Sequence, residues 1–385
     1  MYERIWNKDF IFLILSNFLM YITYYAVLSA LPIYLVTDLH ATKTQVGLVV
    51  GVYTIASVLV RPFSGFTLDR FGRRTIFLLA LVIYSMLFAG YLVAITITSI
   101  ILLRFAQGLT WGFTTVSGST IAVDNIPTAK RGEGIGYFAL STTLGMSVGP
   151  VIGLFICHQW GYIPMFVSGL FISLASLACA SAVHLRKRFI VGKRMPFRWS
   201  SLFDKNSIRP SINLLIIMIP YGGLLSFIAL YGREIGIQNS SLFFLIFAIG
   251  IAASRLTAGK VFDRRGPRSI LTLCLILLIV GFPLLALAKS AVLFYIAAIV
   301  IGFGNGVVFP TFQSMVNNLA DAKHRGAANS TLYTAVDLGM GFGMIMAGLV
   351  AQHFSIPAIF WISSLVCAAG LLFFRLYVLK LYERS

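Results

Sequence analysis

Between Asp9 and Asp38 the chain runs for twenty-eight residues without a charged side chain. A helix of about 20 apolar residues crosses the hydrocarbon core of a bilayer, so this stretch is long enough to span. It is the first of twelve such candidates, at roughly 11–36, 46–66, 75–95, 99–123, 134–156, 162–184, 210–232, 240–262, 269–288, 291–318, 327–351 and 356–379. Hydrocarbon offers no water to backbone N–H and C=O groups, so spanning segments must be helices or a closed barrel. Long apolar runs without period-two alternation exclude the barrel. The expected fold is an all-α integral membrane protein with twelve transmembrane helices. Composition agrees: 58% of the 385 residues are hydrophobic and 11% are charged. The segment MYERIWNKD is charged, but the apolar stretch behind it is too long for a signal peptide and lacks a small-residue cleavage site. The first span is therefore expected to remain in the mature protein.

A net charge of +18 would, in a soluble protein, raise the question of nucleic acid. Its distribution points to topology instead. With the N-terminus inside, 26 of the 30 Lys and Arg fall on the cytoplasmic side, Lys43, Arg233 and Lys289 fall outside, and Arg104 lies within the fourth span. That asymmetry is the positive-inside pattern and predicts both termini in the cytoplasm of an inner (plasma) membrane. Cys157, Cys179, Cys274 and Cys367 stand singly in or beside spans. No CxxC or Cys/His cluster suggests a metal, and they read as small packing residues. No cofactor is expected.

Charge concentrates in RPFSGFTLDRFGRR, residues 61–74, and a near copy, RLTAGKVFDRRGPR, stands at 255–268. At an offset of 194, Arg61, Gly65, Asp69, Arg70, Gly72 and Arg74 become Arg255, Gly259, Asp263, Arg264, Gly266 and Arg268. The same offset carries Gly108 and Gly112 onto Gly302 and Gly306, and Leu144-Gly145-Met146 onto Leu338-Gly339-Met340. One register over so long a stretch marks an internal duplication. Six spans per half give the two copies the same orientation, related by an axis along the membrane normal. The domains are then a six-helix bundle over 1–184, a basic cytoplasmic linker over 185–209, and a second bundle over 210–385.

These features resemble the major facilitator superfamily, whose fold is two pseudo-symmetric six-helix bundles joined by a long central loop. The most specific element is G-x-x-x-D-R-x-G-R-R, here Gly65 to Arg74 with Arg73 included. The resemblance implies a cytoplasmic gate in Gly65, Asp69, Arg70, Gly72, Arg73, Arg74 and Asp124. Its second-half counterparts are Gly259, Asp263, Arg264, Gly266 and Arg268. In the family pattern Asp69, Arg73 and Asp124 form a charge network that locks the outward-facing state.

Span five carries G-x-x-x-G-P-x-x-G as Gly145, Gly149, Pro150 and Gly153. Small residues at this spacing admit a neighbouring helix, and the proline softens the span. The pattern resembles the signature of drug:proton antiporters and related exporters, and it implies export. Arg104, in LLRFAQGLTWG, is an ionisable group inside the membrane, which is costly enough to suggest function; the resemblance implies an influence on proton transfer. Asp337 lies about ten residues into span eleven. Low dielectric favours the neutral form of a carboxylic acid, so this residue is expected to bind and release protons, cations or both. Many drug antiporters carry an acid in helix 1, nine residues before a Leu-Pro. Here Leu31-Pro32 is present but Thr23 occupies that place, which shifts the coupling role toward Asp337.

In this fold helices 1, 4, 7 and 10 line the central cavity. Their middles supply Tyr24, Tyr25, Trp111, Tyr221, Phe227, Asn305, Phe309 and Gln313. An aromatic wall with a few amides suits an amphipathic or cationic organic molecule. The expected activity is proton-driven export of a small organic molecule by a monomer in the lipid bilayer, with protons as the coupling partner. Uptake of a small metabolite and efflux of a sugar or a metallophore are the alternatives. No Walker loop, nucleophile elbow or metal-ligand cluster suggests an enzyme.

Overall fold

A computed structural model describes residues 5–127, 131–184, 205–319 and 325–382. The side chains of 65, 66, 69, 131–133, 135, 206, 256–266, 317, 325–327 and 330 lie outside the described residues. All regular structure among the described residues is helical. The helices are α1 (Lys8–Thr37), α2 (Lys43–Phe71), α3 (Arg73–Gly90), α4 (Ile97–Asn125), α5 (Arg131–Trp160), α6 (Tyr162–Ser181), α7 (Ile208–Glu234), α8 (Leu242–Ala286), α9 (Ala291–Asn305), α10 (Val308–Leu319), α11 (Arg325–His353), α12 (Ile356–Phe373) and α13 (Leu379–Tyr382). Ten helical segments among the described residues are long and apolar enough to cross a membrane. The more polar α4 and the shorter apolar stretch Leu242–Arg255 bring the segments to the expected twelve.

Two expected spans take a different form. The eighth and ninth are joined by continuous helical backbone in α8, with Pro267 inside it; proline at that place removes one ladder bond. The tenth is divided by a turn at Gly306-Val307 into α9 and α10. Pro310, early in α10, is the cause. A helical carbonyl accepts from the N–H four residues on, and proline has none to give to Gly306.

Capping residues set the starts of several helices. Thr96 and Ser99 form a reciprocal capping box at α4, and Ser290 accepts from the Leu293 N–H at α9. These two caps stand 194 residues apart, in the register of the duplication. Gly72, with φ of +92°, is the whole connection between α2 and α3. That left-handed conformation strains any residue with a Cβ.

The chain forms two compact units, Met1–Tyr34 with Ala56–Phe197, and Leu35–Ile55 with Arg198–Ser385. In the first, α5 packs against α1 through its glycines. A Cβ on Gly145 would stand 2.6 Å from the Tyr21 Cβ, on Gly149 2.8 Å from the Ile22 carbonyl oxygen, and on Gly153 2.7 Å from the Ala26 Cα. In the second unit α11 crosses α7 in the same way, with Gly339 on the Leu215 carbonyl and Gly343 on the Ile219 carbonyl. Tyr21 and Tyr25, both against the α5 glycines, become Leu215 and Ile219 at an offset of 194. The repeat read from motifs is therefore also a repeat of helix contacts. Close backbone approach gives these pairs dispersion contact that lipid cannot replace.

Residues 35–55 belong to the second unit through a further glycine contact. A Cβ on Gly47 of α2 would meet the Met344 carbonyl at 2.6 Å and the Gly348 Cα at 2.9 Å. Nearby, the Lys43 amide donates to Gln352 Oε1 at 2.9 Å, and the Lys43 ammonium lies 3.7 Å from Glu234.

Candidate functional site

In the first unit the aromatic residues of α1 and α4 form one cluster. Tyr24 stacks on Trp111 with ring centroids 4.6 Å apart and planes 24° apart. Tyr25 meets Tyr24 edge-on at 4.8 Å, and Tyr21 meets Trp111 edge-on at 4.9 Å. Tyr24, Tyr25 and Trp111 are all buried. Trp111 lies one residue before Gly112, where a Cβ would stand 2.8 Å from the Ser57 carbonyl; α4 is thus drawn onto α2 beside the cluster. Thr23, in the place of the family's acid, donates to the Met20 carbonyl at 2.7 Å and meets the Tyr84 hydroxyl at 3.1 Å. It is a fully buried structural link.

Arg104 sits on the same helix as Trp111, two turns nearer the start of α4, and is 1% exposed. It hydrogen-bonds to the Tyr91 hydroxyl, which donates in turn to Gln107 Oε1 at 2.8 Å. Gln107 is equally buried, and its Nε2 has no hydrogen-bond partner among the described residues. A permanent cation, a phenol and an amide thus form a buried polar chain in the first unit, in surroundings where such groups are retained for a purpose. Pro150 follows Gly149 inside α5, so the antiporter-like motif lies directly against the α1 residues Tyr21, Ile22 and Tyr25.

The second unit holds the remaining cavity candidates. Tyr221 of α7 is half-buried and stacks on Phe247 at 6.2 Å. Phe309 meets Tyr333 at 5.3 Å, and Gln313 Nε2 donates to Asn329 Oδ1 at 3.3 Å. Asn305 closes α9 at the turn. Phe227 is fully buried; α7 is apolar on nearly every side, so sequence period could not separate its core face from a cleft face. Asp337 is 9% exposed, two residues before Gly339, where α11 meets the α7 backbone.

The gate residues whose side chains are described lie in the first unit, apart from Arg268 in the second. Arg73, at the start of α3, forms an ion pair and hydrogen bond with Asp124 near the end of α4. Both side chains are mostly buried, at 19% and 12% exposure. Arg74 donates to the Ser181 carbonyl at the end of α6 at 2.7 Å. Arg70 is exposed, with its guanidinium 5.4 Å from the Phe71 ring centre. The loop's arginines thereby tie α3 to the ends of α4 and α6. The side chain of Asp69 lies outside the described residues, as do Gly65 and the second-half Gly259, Asp263, Arg264 and Gly266 beyond their helical backbone. Arg268 is exposed.

Sequence reasoning missed Tyr21, Tyr84, Tyr91 and Gln107 as members of the buried polar and aromatic clusters. It saw Arg255 only as a member of the repeat. Arg255 Nε donates to the Gly306 carbonyl at 3.1 Å. The signal that could have found it is Pro310 four residues after Gly306, which orphans that carbonyl.

Comparison with known proteins agrees with this architecture. The model of the Major Facilitator Superfamily matches residues 13–240 and 210–385. The staphylopine export protein of Staphylococcus aureus (strain Mu50) is 25% identical over 336 residues, covering 82% of each chain. The multidrug resistance protein MdtG of Klebsiella pneumoniae (strain 342) is 26% identical over 389 residues, covering 97% of this chain and 93% of its own. The solved structure of the nucleoside transporter NupG superposes with a TM-score of 0.75 at 16% identity over 95% of this chain and 99% of that one, a likeness of fold. The chain is an integral membrane transporter of small molecules, not an enzyme, and it belongs to the Major Facilitator Superfamily.

Proposed function

We propose that this transporter exports a small organic molecule, drug-like and cationic or zwitterionic, or a metabolite, in exchange for protons across the plasma (inner) membrane. In this reading it acts as a monomer with both termini in the cytoplasm. Substrate binds the aromatic cluster around Tyr24 and Trp111 in the first unit. The observation that carries the reading is the seating of Gly145, Gly149 and Gly153 on the α1 backbone. That contact joins the antiporter-like motif to Tyr21 and Tyr25, so a change in the α1–α5 crossing moves the aromatic cluster with it. Relatives named for export and for multidrug resistance support the direction.

Asp337 is the proton-exchanging group in this account, since it is a nearly buried carboxyl beside the crossing that matches α1–α5. Arg104, a buried permanent cation of the first unit, influences proton transfer in this account. Arg73 and Asp124 hold the inner loop as half of the gate, with Asp69 as its third member. The test is flux of ethidium, a fluorescent organic cation, in proteoliposomes under an imposed pH gradient. Antiport requires ethidium to move against the proton flow. Movement with the protons, or flux indifferent to the gradient, removes the antiport reading.

A further inference from the structure

The side-chain amide of Asn17, one turn before Tyr21 on α1, is only half engaged. Asn17 is 5% exposed, and its Nδ2 donates to Ser141 Oγ at 2.8 Å and to Thr142 Oγ1 at 3.0 Å on α5. The Ser141 hydroxyl gives its own proton to the Phe138 carbonyl at 2.7 Å, so toward Asn17 it accepts. That fixes the amide with both of its N–H groups on α5 and its oxygen turned from them. Oδ1 has no hydrogen-bond partner among the described residues. Unlike Gln107 Nε2, it is not fully enclosed by protein.

Tying α1 to α5 needs only the donor half of that amide. An open acceptor inside a span is costly, because no bulk water is there to satisfy it. The next turn of α1 indicates what reaches it. Residues four apart on a helix are neighbours, and helical side chains lean toward the N-terminus, which brings Tyr21 over the turn that carries Asn17. The Tyr21 ring meets Trp111 edge-on at 4.9 Å and lies 6.3 Å from the Tyr25 ring, with planes 25° apart. The open acceptor therefore stands beside the α1 end of the aromatic cluster. Aromatic faces attract a cation through its charge, whatever its substituents. An amide oxygen accepts and cannot donate, so it separates a cation that carries an N–H from one whose nitrogen is fully alkylated.

We propose that Asn17 is a specificity-determining residue whose Oδ1 accepts the N–H of a protonated amine on an aromatic substrate lying against Tyr21 and Trp111. The proposal deepens the export reading by assigning the substrate a cationic N–H group, and it rests on that reading for the substrate being a small organic molecule bound at the α1–α4 cluster.

The experiment is equilibrium dialysis of the purified full chain in detergent at neutral pH, against protein-free micelles. The probes are acridine orange, a cation whose one N–H is on the protonated ring nitrogen, and its 10-methyl derivative, in which a methyl group replaces that hydrogen and the charge is unchanged. Wild type is expected to bind acridine orange about tenfold more tightly, the scale of one hydrogen bond to a charged group. Asn17→Ala is expected to remove the preference by weakening acridine orange alone. Equal wild-type affinities, no saturable binding of acridine orange, or a preference lost in Asn17→Ala through tighter binding of the methyl dye would overturn the assignment. The wild-type comparison needs no variant, so a poorly folding Asn17→Ala leaves the test intact. Equilibrium binding reads neither flux direction nor proton coupling, so its failure and that of the antiport reading are separate results.

Discussion

Gly149 of α5 lies so near α1 that a Cβ on it would stand 2.8 Å from the carbonyl oxygen of Ile22. The obstacle is backbone, which cannot rotate away. Gly149→Ala is therefore expected to push the two helices apart, at about 1–3 kcal/mol for overpacking. Transport should fall at least about tenfold, since that energy falls on the crossing that positions Tyr21 and Tyr25. Gly136, in the same helix, has nothing within 4 Å of such a Cβ, so Gly136→Ala should match wild type in both melting temperature and flux. Equal behaviour of the two variants would separate the glycine spacing from function.

The stack of Tyr24 on Trp111 presents aromatic surface suited to an organic cation. Trp111→Ala is expected to weaken ethidium binding by about 1–2 kcal/mol, close to tenfold, while Trp111→Phe keeps most of the affinity. Titration of ethidium fluorescence on the purified protein checks this. Binding unchanged in Trp111→Ala would move the substrate away from the α1–α4 cluster.

These residues also mark how far the sequence could be read. Span number, helical class and the two-fold repeat were legible because apolar length and an invariant offset are one-dimensional signals. The spacing of Gly145 and Gly149, repeated in Gly339 and Gly343, encodes a close helix contact, but only the fold shows that the partners are α1 and α7. Other features depend on which side of a helix faces what. Phe227 is buried in the core of α7, although an all-round apolar helix gave no sign of it. Arg255 meets Gly306 because of a proline fifty-five residues further along the chain, a relation that no local window contains. Gln107 and Tyr91 looked like ordinary polar residues of a span until the fold buried them with Arg104.

Asp337 is expected to separate coupling from movement of substrate. Asp337→Asn keeps the size and hydrogen-bonding shape of the side chain but cannot exchange a proton. Uphill ethidium transport driven by a pH gradient should vanish, while downhill exchange of ethidium across the same vesicles should persist. Loss of both activities would make Asp337 structural, and retention of both would place coupling elsewhere.

The ion pair of Arg73 and Asp124 offers a test in which each half controls the other. Both groups are largely buried at 19% and 12% side-chain exposure, so removing one partner leaves the other charge poorly solvated. Arg73→Ala and Asp124→Ala are each expected to lower stability by about 1.5–3 kcal/mol, the range for a hydrogen bond to a charged group. The double variant should lose less than the sum of the two, because the second change no longer breaks a pair. Reversing the pair, Arg73→Asp with Asp124→Arg, should recover much of the melting temperature but not full transport. Stability needs only opposite charges between α3 and α4, whereas the gate as proposed also needs the sign at Asp124 to be complementary to the rest of its network. Full recovery of both stability and transport would reduce the pair to a structural tie.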